Sequence, residues 1–231
     1  MQTRIAEQPA FVLHRRNYSE SSLLVELFTR EYGRIGVLAR AARGSRSALP
    51  ALLQPFQHLS VDYAGSGELP LLRRADASEP ALHPLGESAL AGLYYNELLM
   101  RLLPRNDGHA RLYDRYAAAL KDLLSPPSLA LGVRRFERGL LDELGFGVDF
   151  TRDARDRPID PEQRYSLEPD RGFLTHAEGL YRGRSILAID ANTVPALADL
   201  RELRTLLRAL IQAHLVGEPL RSWSLMAQLR H

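Results

Sequence analysis

The hydrophobic pattern of this chain changes period once, across a proline-bounded stretch at 80–84, and that change limits the folds open to it. Before it, apolar residues come in short β-rich runs at 9–15, 22–28 and 35–41, each bounded by turn residues. The Thr-Arg-Glu-Tyr-Gly-Arg segment between the last two reads as a hairpin turn, with Gly33 free to take a positive φ. Two more strands fit 57–63 and 68–75, joined across Ala64-Gly65-Ser66-Gly67. Five short strands in so few residues predict a small closed or nearly closed barrel.

From Gly86 onward the period is helical, with Leu90, Leu93, Tyr94, Glu97, Leu98 and Arg101 alternating apolar and polar faces. Pro104 ends this helix. Further helices are predicted at 110–124, stopped by Ser125-Pro126-Pro127, and at 129–144, stopped by Gly145 as a C-terminal cap. Residues 146–190, rich in Asp, Arg, Gly and Pro, read as loops with one small hairpin at 165–167 and 172–174. Helical periodicity returns over 196–216, and a short helix is predicted at 222–229. The expected class is α+β: a barrel domain at 1–80, then a helical domain at 81–231 carrying an irregular insertion at about 146–190.

Composition narrows the chemistry. With no Cys there is no disulfide framework, no thiolate nucleophile and no Cys-ligated zinc or iron–sulfur site. The longest charge-free run, 47–61, is 15 residues and holds Pro50 and Pro55, whereas a membrane span needs about 20 mostly apolar residues. The start lacks an apolar secretory core, so a soluble intracellular protein is expected. The sole lysine, Lys121, has no glycine-rich loop before it, which removes a Walker-type phosphate cradle. No two histidines stand at i,i+3 or i,i+4, and neither HExxH nor GxSxG occurs. The aspartates 149, 153, 156 and 160 lack the order of a calcium loop and are interleaved with Arg152, Arg155 and Arg157, as in a self-paired surface loop. No metal, no cofactor and no catalytic residue is expected.

Net charge is only +2, but its distribution is uneven. No acidic residue lies between Glu31 and Asp62, where Arg34, Arg40, Arg43 and Arg46 all fall. Arg43-Gly44-Ser45-Arg46-Ser47 is a donor-rich loop after a strand, and Arg15 and Arg16 sit on the same barrel; arginine forks and free amides suit phosphate oxygens. Small five-stranded barrels bind single strands by combining a basic groove with stacking platforms, for which Tyr18 and Tyr32 are candidates. The competing reading is an ordinary solvated arginine face. On the helix at 129–144, Arg134, Arg135 and Arg138 lie beside an apolar stripe, an arrangement able to clamp an acidic, hydrophobic protein terminus. Here too the alternative is solvated arginines, supported by Arg138 and Asp142 at i,i+4.

The segments AFVLHRRNYSESSLLVELFTREYGRIGVLARAARGSRS, ALLQPF, GLYYNELLMRLLPRNDGH, RRFERGLLDELGFGVDF and GEPLRSWSLMAQL, in this order, resemble the RecO family of bacterial recombination mediators over nearly the whole chain. The resemblance implies an OB-fold followed by a helical domain. It implies binding of single- and double-stranded DNA, nucleotide-free annealing of complementary strands, and a complex with RecR that helps load RecA onto strands coated by single-stranded-DNA-binding protein. It further implies that the coating protein's acidic tail docks on the helical domain, and that the protein works in the bacterial cytoplasm at the nucleoid. Many members carry a Cys-based zinc module between the helices. Here the corresponding stretch, DFTRDARDRPIDPEQRY, has no Cys, so polar contacts and Phe146, Ile159, Tyr165 and Phe173 are expected to hold it. Two other classes stay open: a non-catalytic interaction adaptor without DNA contact, and a metal-dependent phosphodiester or nucleotide enzyme built on the Asp-rich insertion.

Overall fold

The computed structural model describes residues 3–44, 47–65, 67 and 69–228. Five strands, β1 (Thr3–Tyr18), β2 (Ser22–Thr29), β3 (Gly33–Ala39), β4 (His58–Gly65) and β5 (Leu71–Ala77), close into a barrel in the order β1-β2-β3-β5-β4. A single-turn helix, α1 (Leu49–Leu52), joins β3 to β4. A closed Greek-key barrel of five strands with this order is the OB-fold. β1 runs well beyond the predicted 9–15 because it pairs with β2 on one side and β4 on the other, with register shifts at Ile5/Gln8 and Val12/His14. Each bulge bends the strand so that one continuous segment can turn from one neighbour to the next.

The barrel interior is filled by Val12, Val25, Leu27, Val37, Leu59 and Val61, all fully buried. Burying such a side chain contributes about 1.5–3 kcal/mol relative to leaving it in water. Part of the outer surface is buried as well. Helices α2 (Gly86–Leu102) and α3 (Ala110–Asp122) follow the barrel, and Phe11 and Phe28 pack from the outside of β1 and β2 against Tyr113 and Tyr116 of α3, with ring centroids 5.2–6.0 Å apart. Burial on both faces explains why β2 reads as a nearly unbroken apolar run. Asn96 ties the layers: its Nδ2 donates to the Leu13 carbonyl at 2.8 Å, and its Oδ1 accepts from the Tyr116 hydroxyl at 2.5 Å.

β3 meets β5 only near its upper end, where Leu38 pairs in parallel with Leu71 and its amide donates to the Pro70 carbonyl at 2.9 Å. The lower end of β3 is closed by 104–108 instead. Arg34 bridges to Arg105, and the Asn106 amide donates to the Arg34 carbonyl at 3.0 Å. This approach depends on Gly33, at φ +63°, where a Cβ would fall on the Asp107 carbonyl. α2 stops at Leu102 because Leu103 is extended ahead of Pro104.

Two compact units result, Met1–Leu124 with Leu220–His231, and Ser125–Pro219. The change of period at 80–84 therefore lies inside the first unit. Its last helix, α7 (Arg221–Gln228), is seated by Glu97, whose carboxylate accepts from the Arg221 and Ser222 amides at 2.8 and 2.9 Å. No helix among the described residues is long and apolar enough to cross a membrane.

In the second unit α4 (Leu129–Glu143), capped by Ser128, packs on α6 (Leu197–His214). Between them lie a three-stranded sheet of β6 (Arg164–Glu168), β7 (Gly172–Thr175) and β8 (Tyr181–Arg182), then the short α5 (Gly183–Leu187) and a 3-10 turn at Ala188–Asp190. Phe150, Ile159, Tyr165 and Phe173 are buried beneath this sheet, while Phe146 lies at the surface, stacked at 3.9 Å on His214. The polar centre is the Asp153 carboxylate. It accepts from the Arg155 and Arg157 amides at 2.9 and 3.0 Å and from the Arg157 guanidinium at 2.6 and 2.9 Å. These bonds hold its pKa down to about 2.

The two polar knots have measurable weight in stability. Asn96→Leu removes the bonds to the Leu13 carbonyl and the Tyr116 hydroxyl, and is expected to cost about 2–4 kcal/mol in urea unfolding. Because the Asp153 pKa is depressed, its contribution is complete above the usual carboxylate value and is lost as pH falls from about 4 to about 2. Asp153→Asn should therefore unfold more easily than the parent at pH 6, and the gap between the two should close towards pH 2.

Candidate nucleic-acid interface

The cross-strand register divides the six barrel arginines. Arg16 pairs with Leu24, Leu24 with Leu38, and Leu38 with Leu71, so these four residues form one row across the outside of β1, β2, β3 and β5. Alternation puts Tyr18 beyond Arg16 on the same face, and Arg40 beyond Leu38. Arg73 lies two residues beyond Leu71, at the register shift between β4 and β5. The three leucines are half-buried, whereas Arg16, Tyr18, Arg40 and Arg73 are exposed. Lower on this face Arg105 covers Gly36, whose Cβ would lie 2.8 Å from Nη1, and pairs with the buried Glu26. The face is thus an aliphatic strip rimmed by cations.

At the mouth of the barrel Arg15, Arg16, Asn17, Leu23, Arg43 and Pro50 line an open concavity of about 450 Å³. The Arg15 guanidinium is held by the Pro50 carbonyl at 2.6 Å, and that of Arg43 by the Ser19 carbonyl at 3.2 Å. Carbonyl anchors orient a guanidinium without neutralising it. Arg15, Arg16, Arg40 and Arg43 make no ion pair with a carboxylate among the described residues, and several donors on each remain for phosphate oxygens. Arg46 lies outside the described residues.

Arg34 is not brought to this end. It stands opposite Phe28, near the far hairpin, where its guanidinium donates to the Met100 carbonyl beneath the last turn of α2. Burial first, and then the neighbouring Arg105, lower its pKa. The two candidate stacking residues are parted as well. Tyr18 is 47% exposed at the β1–β2 turn, while Tyr32 sits at the β2–β3 turn, edge-on to the buried Tyr63 at 6.5 Å. The length of β2, roughly 24 Å, separates those turns. Arg73, Arg105 and the leucine row had no sequence signal of their own. They share a face only through the parallel β3–β5 pairing and the return of 104–108.

On α4 the three arginines take three different roles. Arg134 is turned inward, its side chain 9% exposed, and pairs with Glu137 at 2.9 Å. Arg135 donates to the Ile189 and Ala191 carbonyls at 3.1 and 2.7 Å. Arg138 grips Asp190 at 2.6 and 2.8 Å and lies over the Phe150 ring at 4.9 Å. Only Arg135 and Arg138 retain solvent-facing surface. Among the described residues, no three acidic or histidine side chains gather as a metal-ligand group.

The first unit is thus an OB-fold barrel with an uncompensated basic end, followed in the chain by a helical unit. Comparison with known proteins narrows this: 1–81 match the family model for the N-terminal part of recombination protein O, and 86–224 match that for its C-terminal part. The chain is 42% identical to the DNA repair protein RecO of Xanthomonas campestris pv. campestris over 97% of each chain. It is 40% identical to that of Xylella fastidiosa, over 98% of this chain and 97% of that one. With that of Ralstonia nicotianae the identity is 36%, over 98% and 86%. The chain belongs to the RecO family of DNA repair and recombination proteins.

Proposed function

We propose that this protein is a recombination mediator that binds single- and double-stranded DNA on its barrel and anneals complementary strands. With RecR it helps load RecA onto strands coated by single-stranded-DNA-binding protein. The observation that carries the reading is the set Arg15, Arg16, Arg40 and Arg43 at one end of an OB-fold, Arg15 and Arg43 oriented by carbonyls and all four without carboxylate partners among the described residues. Arg46, which follows in the same loop, extends the set by sequence. Guanidinium groups neutralise backbone phosphates and lower the repulsion between two strands, while base pairing supplies the free energy of annealing. No acid, base or nucleotide is required for this.

The acidic tail of the coating protein docks on α4 in this reading, with Arg135 and Arg138 as donors and Arg134 fixing the helix from within. An incoming carboxylate competes with Asp190 at 2.6 Å and Asp142 at 3.5 Å for Arg138, and the Phe150 ring beneath keeps that guanidinium in position. The interaction adaptor without DNA contact is the competing reading. It leaves the unpaired arginines of the barrel without a role.

The Arg16→Glu/Arg43→Glu variant is expected to bind single strands more weakly and to flatten log K against log salt by about 0.7 for each phosphate no longer neutralised. An unchanged slope removes these residues from the DNA face. Arg138→Ala should weaken a synthetic acidic tail peptide about tenfold, on the order of 1.4 kcal/mol, with naked-DNA affinity unchanged. Annealing of coated strands should require the tail. Annealing of naked strands alone would retain the barrel assignment and discard the docking one.

A further inference from the structure

Most aromatic side chains of the first unit are used for packing, and among the described residues Tyr18 and Tyr32 alone of them stay exposed, at the β1–β2 and β2–β3 turns. Phe11, Phe28, Tyr113 and Tyr116 form the seam between barrel and α3, Phe56 and Tyr63 are buried, and Tyr94 and Tyr95 lie inside α2. What remains on the open part of the sheet is Leu24, Leu38 and Leu71 in register, with Arg16, Arg40 and Arg73 at the rim, Arg105 below and Tyr18 at one corner. Aromatic platforms hold single strands by stacking, worth about tenfold or more per base, and each stacked base is withdrawn from other partners. Leucines offer apolar contact without a π-face.

Resting on the DNA-binding reading above, we infer that this leucine row is the surface on which a single strand lies, held by its phosphates on the rim arginines and only loosely by its bases. The occupant follows from charge: Arg16, Arg40 and Arg73 border the strip without a carboxylate partner among the described residues, while Arg105 below is paired with Glu26, and an unpaired cationic border suits a polyanion laid along it. A strand held in this way keeps its pairing edges available and its bases exchangeable, which annealing needs. Binding is indifferent to base identity, because Leu24, Leu38 and Leu71 carry no side-chain hydrogen-bonding group.

The test uses the full chain with one added fluorophore. Leu38→Trp places an indole in the centre of the row. Its emission should be quenched by a mixed-sequence single strand, binding should tighten about tenfold, and annealing of complementary strands should slow in proportion. Leu24→Trp should behave alike, while Leu93→Trp, exposed on α2, should do none of these things. Unfolding midpoints of the three variants identify any that misfold, and Leu38→Phe then replaces Leu38→Trp with affinity and annealing as readouts. Quenching with tighter binding but unchanged annealing overturns the exchange argument. If the parent binds DNA with an arginine-dependent salt slope but the indole of Leu38→Trp is not quenched, the platform is wrong and the DNA-binding reading stands. If the parent binds no DNA, that reading itself fails.

Discussion

A single buried amide determines which half of the barrel is covered and which half is open. Asn96 takes the Leu13 carbonyl, at the bulge of β1, and the Tyr116 hydroxyl into the same interior, so that strand, α2 and α3 are fixed against one another. Each of its bonds is made where water cannot substitute, and an unmade partner there costs more than the bond itself contributes. With α3 held in this way, the outer surfaces of Phe11 and Phe28 are closed off, and 104–108 is drawn across β3. At the opposite end of the sheet, Arg16 and Arg40 are exposed and Leu24 and Leu38 half-buried. The open face is therefore a by-product of how the helices are clamped.

Much of the architecture was legible in the sequence because periodicity reports burial directly. The switch from period 2 to period 3.6 located the barrel and the helices, and Gly33, Pro104 and Gly145 marked real turns and stops. The extent of β1 was not legible. Its residues 3–8 are mostly polar and gain strand structure from pairing with β4, a long-range contact. Nor was the grouping of the arginines. Arg34 and Arg40 stand six residues apart in sequence, but the first lies under α2 and the second in solvent. Arg134, Arg135 and Arg138 likewise looked equivalent on a helical wheel, yet Glu137 draws Arg134 inward. Neighbours in sequence carry no record of which helix will cover them.

The insertion of the second unit is organised around one carboxylate, that of Asp153. A carboxylate that gathers two amides and one guanidinium imposes direction on 153–157 much as a bound cation would, with the difference that every one of these donors comes from the same short loop. Phe150, Tyr165 and Phe173 supply the apolar floor. Thr175 of β7 joins the same knot, its hydroxyl donating to Asp153 at 3.5 Å and accepting from Arg157 at 3.1 Å.

In sequence the second unit interrupts the first, and α7, which follows it, docks on Glu97. During vectorial synthesis this makes the last helix a late arrival. The barrel and α3 can close early, but the Glu97 carboxylate waits unfilled until Arg221, 124 residues further on, has left the ribosome. Completion of the arginine-bearing unit is thereby coupled to synthesis of a segment that follows the whole second unit. A chain that stops within the second unit would still hold the barrel's arginines yet lack the helix that finishes their unit.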